Sequence, residues 1–266
     1  MMATPPAQEA MHDGADLTPG RFSTTDIADA LVAGVRCFRR LPGPSVAFAS
    51  VFALIGLFLL AGVGRFGISP MALPFAGGFL LMGPALLTGF FHIAALSAGG
   101  HKPRLRDALA AFARAPSGLW AVAGVCTFLF VIWMTDAAVL YAFMIGAEHL
   151  PYDLPWLISM QRHVVAFELW GSLMGSVLAF IIFSVSAFSV PLLHEGRANL
   201  VQAVYASVRA VLGNLLPALA WGLLLTVAMV LSIVLLPLLT VVLPVLAYAS
   251  FAIYEKVFPR PADSPR

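Results

Sequence analysis

The stretch RLRDALAAFARAP, Arg104 to Pro116, is set between two runs that are almost wholly apolar. On a helix, where successive residues turn by about 100°, Leu105, Ala108, Leu109 and Phe112 share one face, with Arg104, Asp107 and Arg114 opposite. A bilayer core takes roughly 20 consecutive apolar residues to cross, so a segment this short and charged does not span it. It reads as an amphipathic helix lying in the plane of the membrane interface.

The pattern occurs three times. Asp29 to Arg36 (DALVAGVR), Asp107 to Arg114 (DALAAFAR) and Gln202 to Arg209 (QAVYASVR) share both alanines and the arginine in register, and the matched upstream residues Ile27, Leu105 and Leu200 are all apolar. Asp26, Pro103 and Asn199 are helix-start signals. Each copy precedes a pair of long apolar segments, which predicts three repeats of an interfacial amphipathic helix plus a transmembrane hairpin. The spans are expected near Pro44–Gly64, Ala72–Ser97, Gly118–Met144, Val165–Val190, Pro217–Leu236 and Leu238–Tyr254, with Pro237 breaking the last two apart and a re-entrant pair as the alternative there. Pro191 is expected to end the fourth span, and Gly83-Pro84 and Pro244 to kink theirs.

The fold class is therefore an all-α polytopic membrane protein with six transmembrane helices. Its domains are a disordered cytoplasmic tail over 1–24, a six-span membrane domain over 25–258 and a cytoplasmic tail over 259–266. Composition agrees: of 266 residues 61% are hydrophobic and 11% charged, with a mean hydropathy of +0.93, against roughly 25% charged in soluble domains. The opening residues lack a basic stretch followed by an apolar one, so no cleavable signal peptide is read. Thirteen of the fifteen Lys and Arg residues fall on the side of the termini and the 98–116 and 191–213 loops, leaving Arg65 and Arg162 opposite. By the positive-inside rule both termini are cytoplasmic, and the expected location is a bacterial inner membrane.

Chemistry is sparse. There is no His-Glu-x-x-His pattern, no phosphate-cradling glycine loop and no nucleophile elbow, and the six histidines are scattered. His92 reads as a packing residue and His194-Glu195 as a solvated cytoplasmic turn. No catalytic residue, metal ligand or cofactor is assigned, and a net charge of +2 gives no argument for nucleic acid. Arg36, Arg39, Arg40, Arg104, Arg106, Arg114 and Arg209, with Lys102, would form a basic collar, which either binds anionic lipid headgroups or a membrane-protein partner or simply orients the chain. Asp136 and Glu168 are ionisable groups inside spans. They form a structural pair with Arg162 or Arg65, or stay neutral as protonated carboxyls, or make a site for a proton, a cation or a cationic substrate. Gly171 and Gly175, four apart in GSLMGS, serve either dimerisation or packing within one chain.

RCFRRLPGPSVAFASVFALIGLFLL (from Arg36), PFAGGFLLMGPALLTGFFHIAAL (from Pro74), FSVSAFSVPLL (from Phe183) and QAVYASVRAVLGNLLPALAWGLLL (from Gln202) resemble the bacterial predicted integral membrane proteins grouped as domain of unknown function 2189, over residues 22 to 258. The resemblance implies a six-span inner-membrane protein without an agreed activity and supplies no functional residues. The expected function is non-enzymatic: scaffolding or regulation through the cytoplasmic basic helices, with a small-solute or ion transporter using Asp136 and Glu168 as the alternative.

Overall fold

The computed structural model describes residues 17–66, 83–113, 115–146 and 162–260. All regular elements among them are helical: α1 Thr24–Arg40, α2 Pro42–Phe66, α3 Gly83–Ala98, α4 Leu105–Ala113, α5 Ser117–Met144, α6 Arg162–Ser186, α7 Ser189–His194, α8 Leu200–Gly213, α9 Leu215–Val234, a 3-10 turn at Leu236–Leu238, and α10 Leu239–Val257.

The helices start where side chains satisfy the free backbone donors of a first turn. Asn199 accepts a hydrogen bond from the Gln202 amide at 2.9 Å while Gln202 Oε1 accepts from the Asn199 amide at 3.1 Å, closing a reciprocal cap on α8. At α4 the Arg104 amide donates to Asp107 Oδ2 at 2.8 Å, so the helix begins after Arg104 and Pro103 stands outside it. In α1 the Ser23 amide donates to Asp26 Oδ2 at 2.7 Å, which puts Ser23 rather than Asp26 at the cap.

By length and composition four helices of the described residues are able to cross a membrane: Ser117–Met144, Val164–His194, Leu215–Ser232 and Leu239–Val257. A fifth is the pair Thr24–Arg40 and Pro42–Phe58, bent by 103°. The first part of the second expected span, residues 72–82, lies outside the described residues, and α3 supplies its remainder. Pro237 falls in the 3-10 turn between α9 and α10, as its missing amide favours. Pro191 does not end the fourth span. It occupies the first turn of α7, where no amide partner is lost, and the helix runs on to His194. The interruption lies at Ala187 and Phe188, and Ser207 of α8 fills it. The Ser207 hydroxyl donates to the Ser184 carbonyl at 2.8 Å and accepts from the Phe188 amide at 3.1 Å.

Helix α10 is central, packing against α1, α2, α3 and α9. Its Tyr254, Leu239, Ala249 and Val257 are fully buried in the main core with Leu192 and Val211. A second core is aromatic: Phe48 meets Phe90 at 4.9 Å and Phe52 at 5.1 Å, and Phe90 meets Tyr248 at 6.0 Å. Ser45 shares a buried hydrogen bond of 2.7 Å with the Tyr248 hydroxyl. A third core joins Ala137 and Ile145 of α5 and its end to Val164 and Phe167 of α6. By contrast Phe128 and Phe143 of α5, Leu173 and Val177 of α6 and Leu216 and Leu223 of α9 are exposed, the pattern of helices that face acyl chains.

The three short helices of the repeated pattern dock against different neighbours. Helix α1 packs on α10, α4 on α3, and α8 on α6 and α7. The first alanine of each copy, Ala30, Ala108 and Ala203, is buried in the protein. Part of the face expected to sink among acyl chains is thus occupied by other helices. Of the segment read as a tail, residues 17–24 are described and are packed: Phe22 is buried, and the Gly20 amide donates to the Val257 carbonyl at 2.8 Å. The rest of that tail, and residues 261–266, lie outside the described residues.

Candidate functional site

Antiparallel hairpins bring the ends of α3, α7 and α10 and the starts of α2, α5 and α9 to one end of the bundle. His92 of α3 lies 6.4 Å from His194 of α7, ring to ring, and the Tyr254 hydroxyl of α10 donates to Glu195 Oε2 at 2.8 Å. The short helices α1, α4 and α8 sit at this same end. Every described Lys and Arg except Arg65 and Arg162 therefore collects there.

Arg36, Arg39 and Arg40 are exposed along the second half of α1, Arg104 and Arg106 are exposed at the start of α4, and Arg209 is exposed on α8. Arg114 lies outside the described residues. Exposed apolar side chains stand beside these arginines: Val32 and Val35 on α1, Leu109 on α4, and Val201, Tyr205 and Leu212 on α8.

Glu195 and Arg197 are not in a solvated turn. The Glu195 side chain is 12% exposed and is held by Arg260 and by Arg197 at 3.7 Å. Arg197 in turn donates to the Tyr254 hydroxyl at 3.0 Å, the Phe258 carbonyl at 2.7 Å and the Pro259 carbonyl at 3.1 Å. The Glu195 contact pushes the Arg260 guanidinium above its ordinary value. Sequence reading missed this clamp because its bonds join Glu195 and Arg197 to residues 57 to 65 positions away and follow no local pattern.

A second clamp is Asn214, buried at the corner between α8 and α9. Its Oδ1 accepts from the Phe22 amide at 3.1 Å, and its Nδ2 donates to the Gly20 carbonyl at 3.2 Å and the Ala210 carbonyl at 3.0 Å. The start of the chain is tied to α10 by Lys256, which donates to Asp26. That bond, with the Ser23 amide and hydroxyl, lowers the Asp26 carboxyl from 3.8 to about 2.

Asp136 and Glu168 are both half-buried, on α5 and α6. None of the ion pairs among the described residues includes either one. Arg65 is exposed, and the Arg162 side chain lies outside what is described. Glu168 Oε1 is buried without a hydrogen-bond partner. Gly175 packs under the Trp133 ring of α5, whereas Gly171 has open space beside it.

A chain whose described elements are all helical, several of them apolar and long enough to cross a bilayer, and whose described cations lie mostly at one end, is an integral membrane protein. Residues 72–195 match the family model described as predicted integral membrane protein, domain of unknown function 2189, so the resemblance seen in the sequence holds over that stretch. The match is narrower than the span from 22 to 258 that the quoted segments suggested. No curated protein and no solved structure matches the chain.

Proposed function

We propose that this protein resides in a bacterial inner membrane with both termini cytoplasmic. In this reading it acts by binding rather than by chemistry, scaffolding or regulating partners at the membrane through its basic helices. The observation that carries this is the single basic end, where Arg36, Arg39, Arg40, Arg104, Arg106 and Arg209 are exposed beside apolar side chains that are also exposed. Cations adjoining apolar surface suit a helix seated at anionic headgroups, each charge contributing about 1 kcal/mol near the surface.

The architecture we assign is six spans in three repeats of amphipathic helix plus hairpin. It is supported by the shared register of Ala30, Ala108 and Ala203 and by the docking of the short helices. Helix α4 packs on α3, α8 on α6 and α7, and α1 on α10. Each thus rests on the span before it when the order of the spans is taken as a ring.

Replacing Arg36, Arg39, Arg40, Arg104, Arg106 and Arg114 together by Gln tests the function. The variant is expected to retain less anionic lipid through purification, read by mass spectrometry of the extracted lipid. An unchanged lipid profile with impaired insertion leaves the arginines to topology alone.

A transporter is the second reading, and the unpartnered Glu168 Oε1 favours it, because a buried carboxyl within a span commonly faces an ion or a proton path. Proton or cation flux into liposomes that is lost in Glu168→Gln would place this reading first.

A further inference from the structure

We propose that the cleft between α3, α4 and the end of α7 is a binding site for a phosphate-type oxyanion, presented either as free phosphate or as the phosphomonoester headgroup of an acidic lipid. The cleft has a volume of about 620 Å³ and opens at the basic end. Pockets for small ligands run to roughly 300–1,000 Å³, so a phosphate with an attached organic group fits.

Its polar lining converges from three elements and a loop: His92 of α3, His101 and Lys102 of the loop, Arg104 and Arg106 at the start of α4, and His194 of α7. Leu96 and Ala111 supply apolar wall. With every imidazole neutral the lining is still cationic, because Asp107 is the sole acid among its described residues. That carboxylate is committed to the helix start, accepting from the Arg104 amide at 2.8 Å and lying 3.6 Å from Arg106 Nε.

Guanidinium forks pair with phosphate oxygens in bidentate fashion, lysine adds a mobile charge, and imidazole N–H groups donate from the sides. The positive end of α4 adds its partial charge at the same place. Among the described residues no group of three or more His, Cys, Asp or Glu side chains has the spacing to hold a metal ion. Anion recognition is the chemistry this set of donors suits. The cleft shares Arg104 and Arg106 with the headgroup-binding collar but is a distinct, open site. It would persist if the remaining collar arginines served topology alone.

The test titrates inorganic phosphate into the full-length protein in a non-ionic detergent, followed by calorimetry, with short-chain phosphatidic acid as a competitor. One saturable site per chain is expected, weakened about tenfold or more in His92→Gln/Lys102→Gln, a loss of roughly 1.4 kcal/mol or more. Arg106→Gln gives a second cleft variant, since that side chain is 75% exposed and its replacement leaves packing intact. Arg65→Gln, at the opposite end of the bundle, should bind phosphate as the parent does, and Arg36→Gln/Arg39→Gln/Arg40→Gln removes arginines of the collar alone. Displacement of phosphate by phosphatidic acid assigns the site to a lipid headgroup. Saturable phosphate binding that the lipid fails to displace assigns it to the free anion. Absence of saturable binding to the folded parent overturns the proposal, as does full binding in both cleft variants. Retention of anionic lipid by the Arg36, Arg39 and Arg40 variant reports separately on the collar.

Discussion

At Gly34 the backbone of α1 lies directly against α10. A methyl group there would meet the Ala249 amide nitrogen at 3.0 Å, with the Val245 carbonyl oxygen nearer still. Neither backbone atom is free to swing aside as the end of a side chain would, so Gly34→Ala has to push α1 away from the helix that carries the main core. Overpacking of this kind costs roughly 1–3 kcal/mol. A melting temperature several degrees below the parent's is expected in detergent. Gly43→Ala, at a position with nothing within 4 Å, should melt with the parent. The sequence shows both glycines equally well but not their neighbours. Gly171 and Gly175 teach the same: four apart on one helix, one faces open space and the other lies under Trp133 of α5. The contact is made within the chain, which the spacing alone left open.

Among the elements, helix existence and ends were largely legible. Five of the helices fall close to expected spans, and α3 covers the later part of another, because runs of apolar residues and prolines carry their own punctuation; the short helices α1, α4 and α8 appear where the repeated pattern put them. What could not be read was the partner of each short helix. Alanine-rich faces look alike whether they meet lipid or protein, and the docking of α1 onto α10 joins residues 230 positions apart, as in the Asp26 and Lys256 contact. That contact makes the docking pH-sensitive. The Asp26 carboxyl is a stronger acid in the folded chain, about 2, than its ordinary 3.8. Its contribution is therefore present above about pH 3.8 and is lost as the pH falls to about 2. Pepsin digestion across that window should cut within α1 increasingly at the acid end. In Asp26→Asn the cutting should already be high near pH 4, and identical digestion of the two proteins throughout would show that the contact does not hold α1 in place.

At the scale of the molecule, composition and the apolar runs settle the membrane class, and the separation of cations from the rest of the chain is carried by the fold as well. The two clamps at the basic end were invisible to sequence reading. Glu195 resembles any loop carboxylate until Arg197, Arg260 and Tyr254 are brought around it, and Asn214 resembles any polar residue between helices until Gly20 and Phe22 reach it. Both fasten loops and chain ends to α8 and α10, so the basic end is a built surface rather than a set of loose connections. The central claim is that this end is the cytoplasmic one and that six spans return the chain to it. It is tested most directly by reporter fusions placed after residues 68, 100, 150, 195 and 260. Cytoplasmic signals are expected after 100, 195 and 260 and periplasmic signals after 68 and 150; a cytoplasmic signal after 150, or opposite sides for 195 and 260, would rule six spans out.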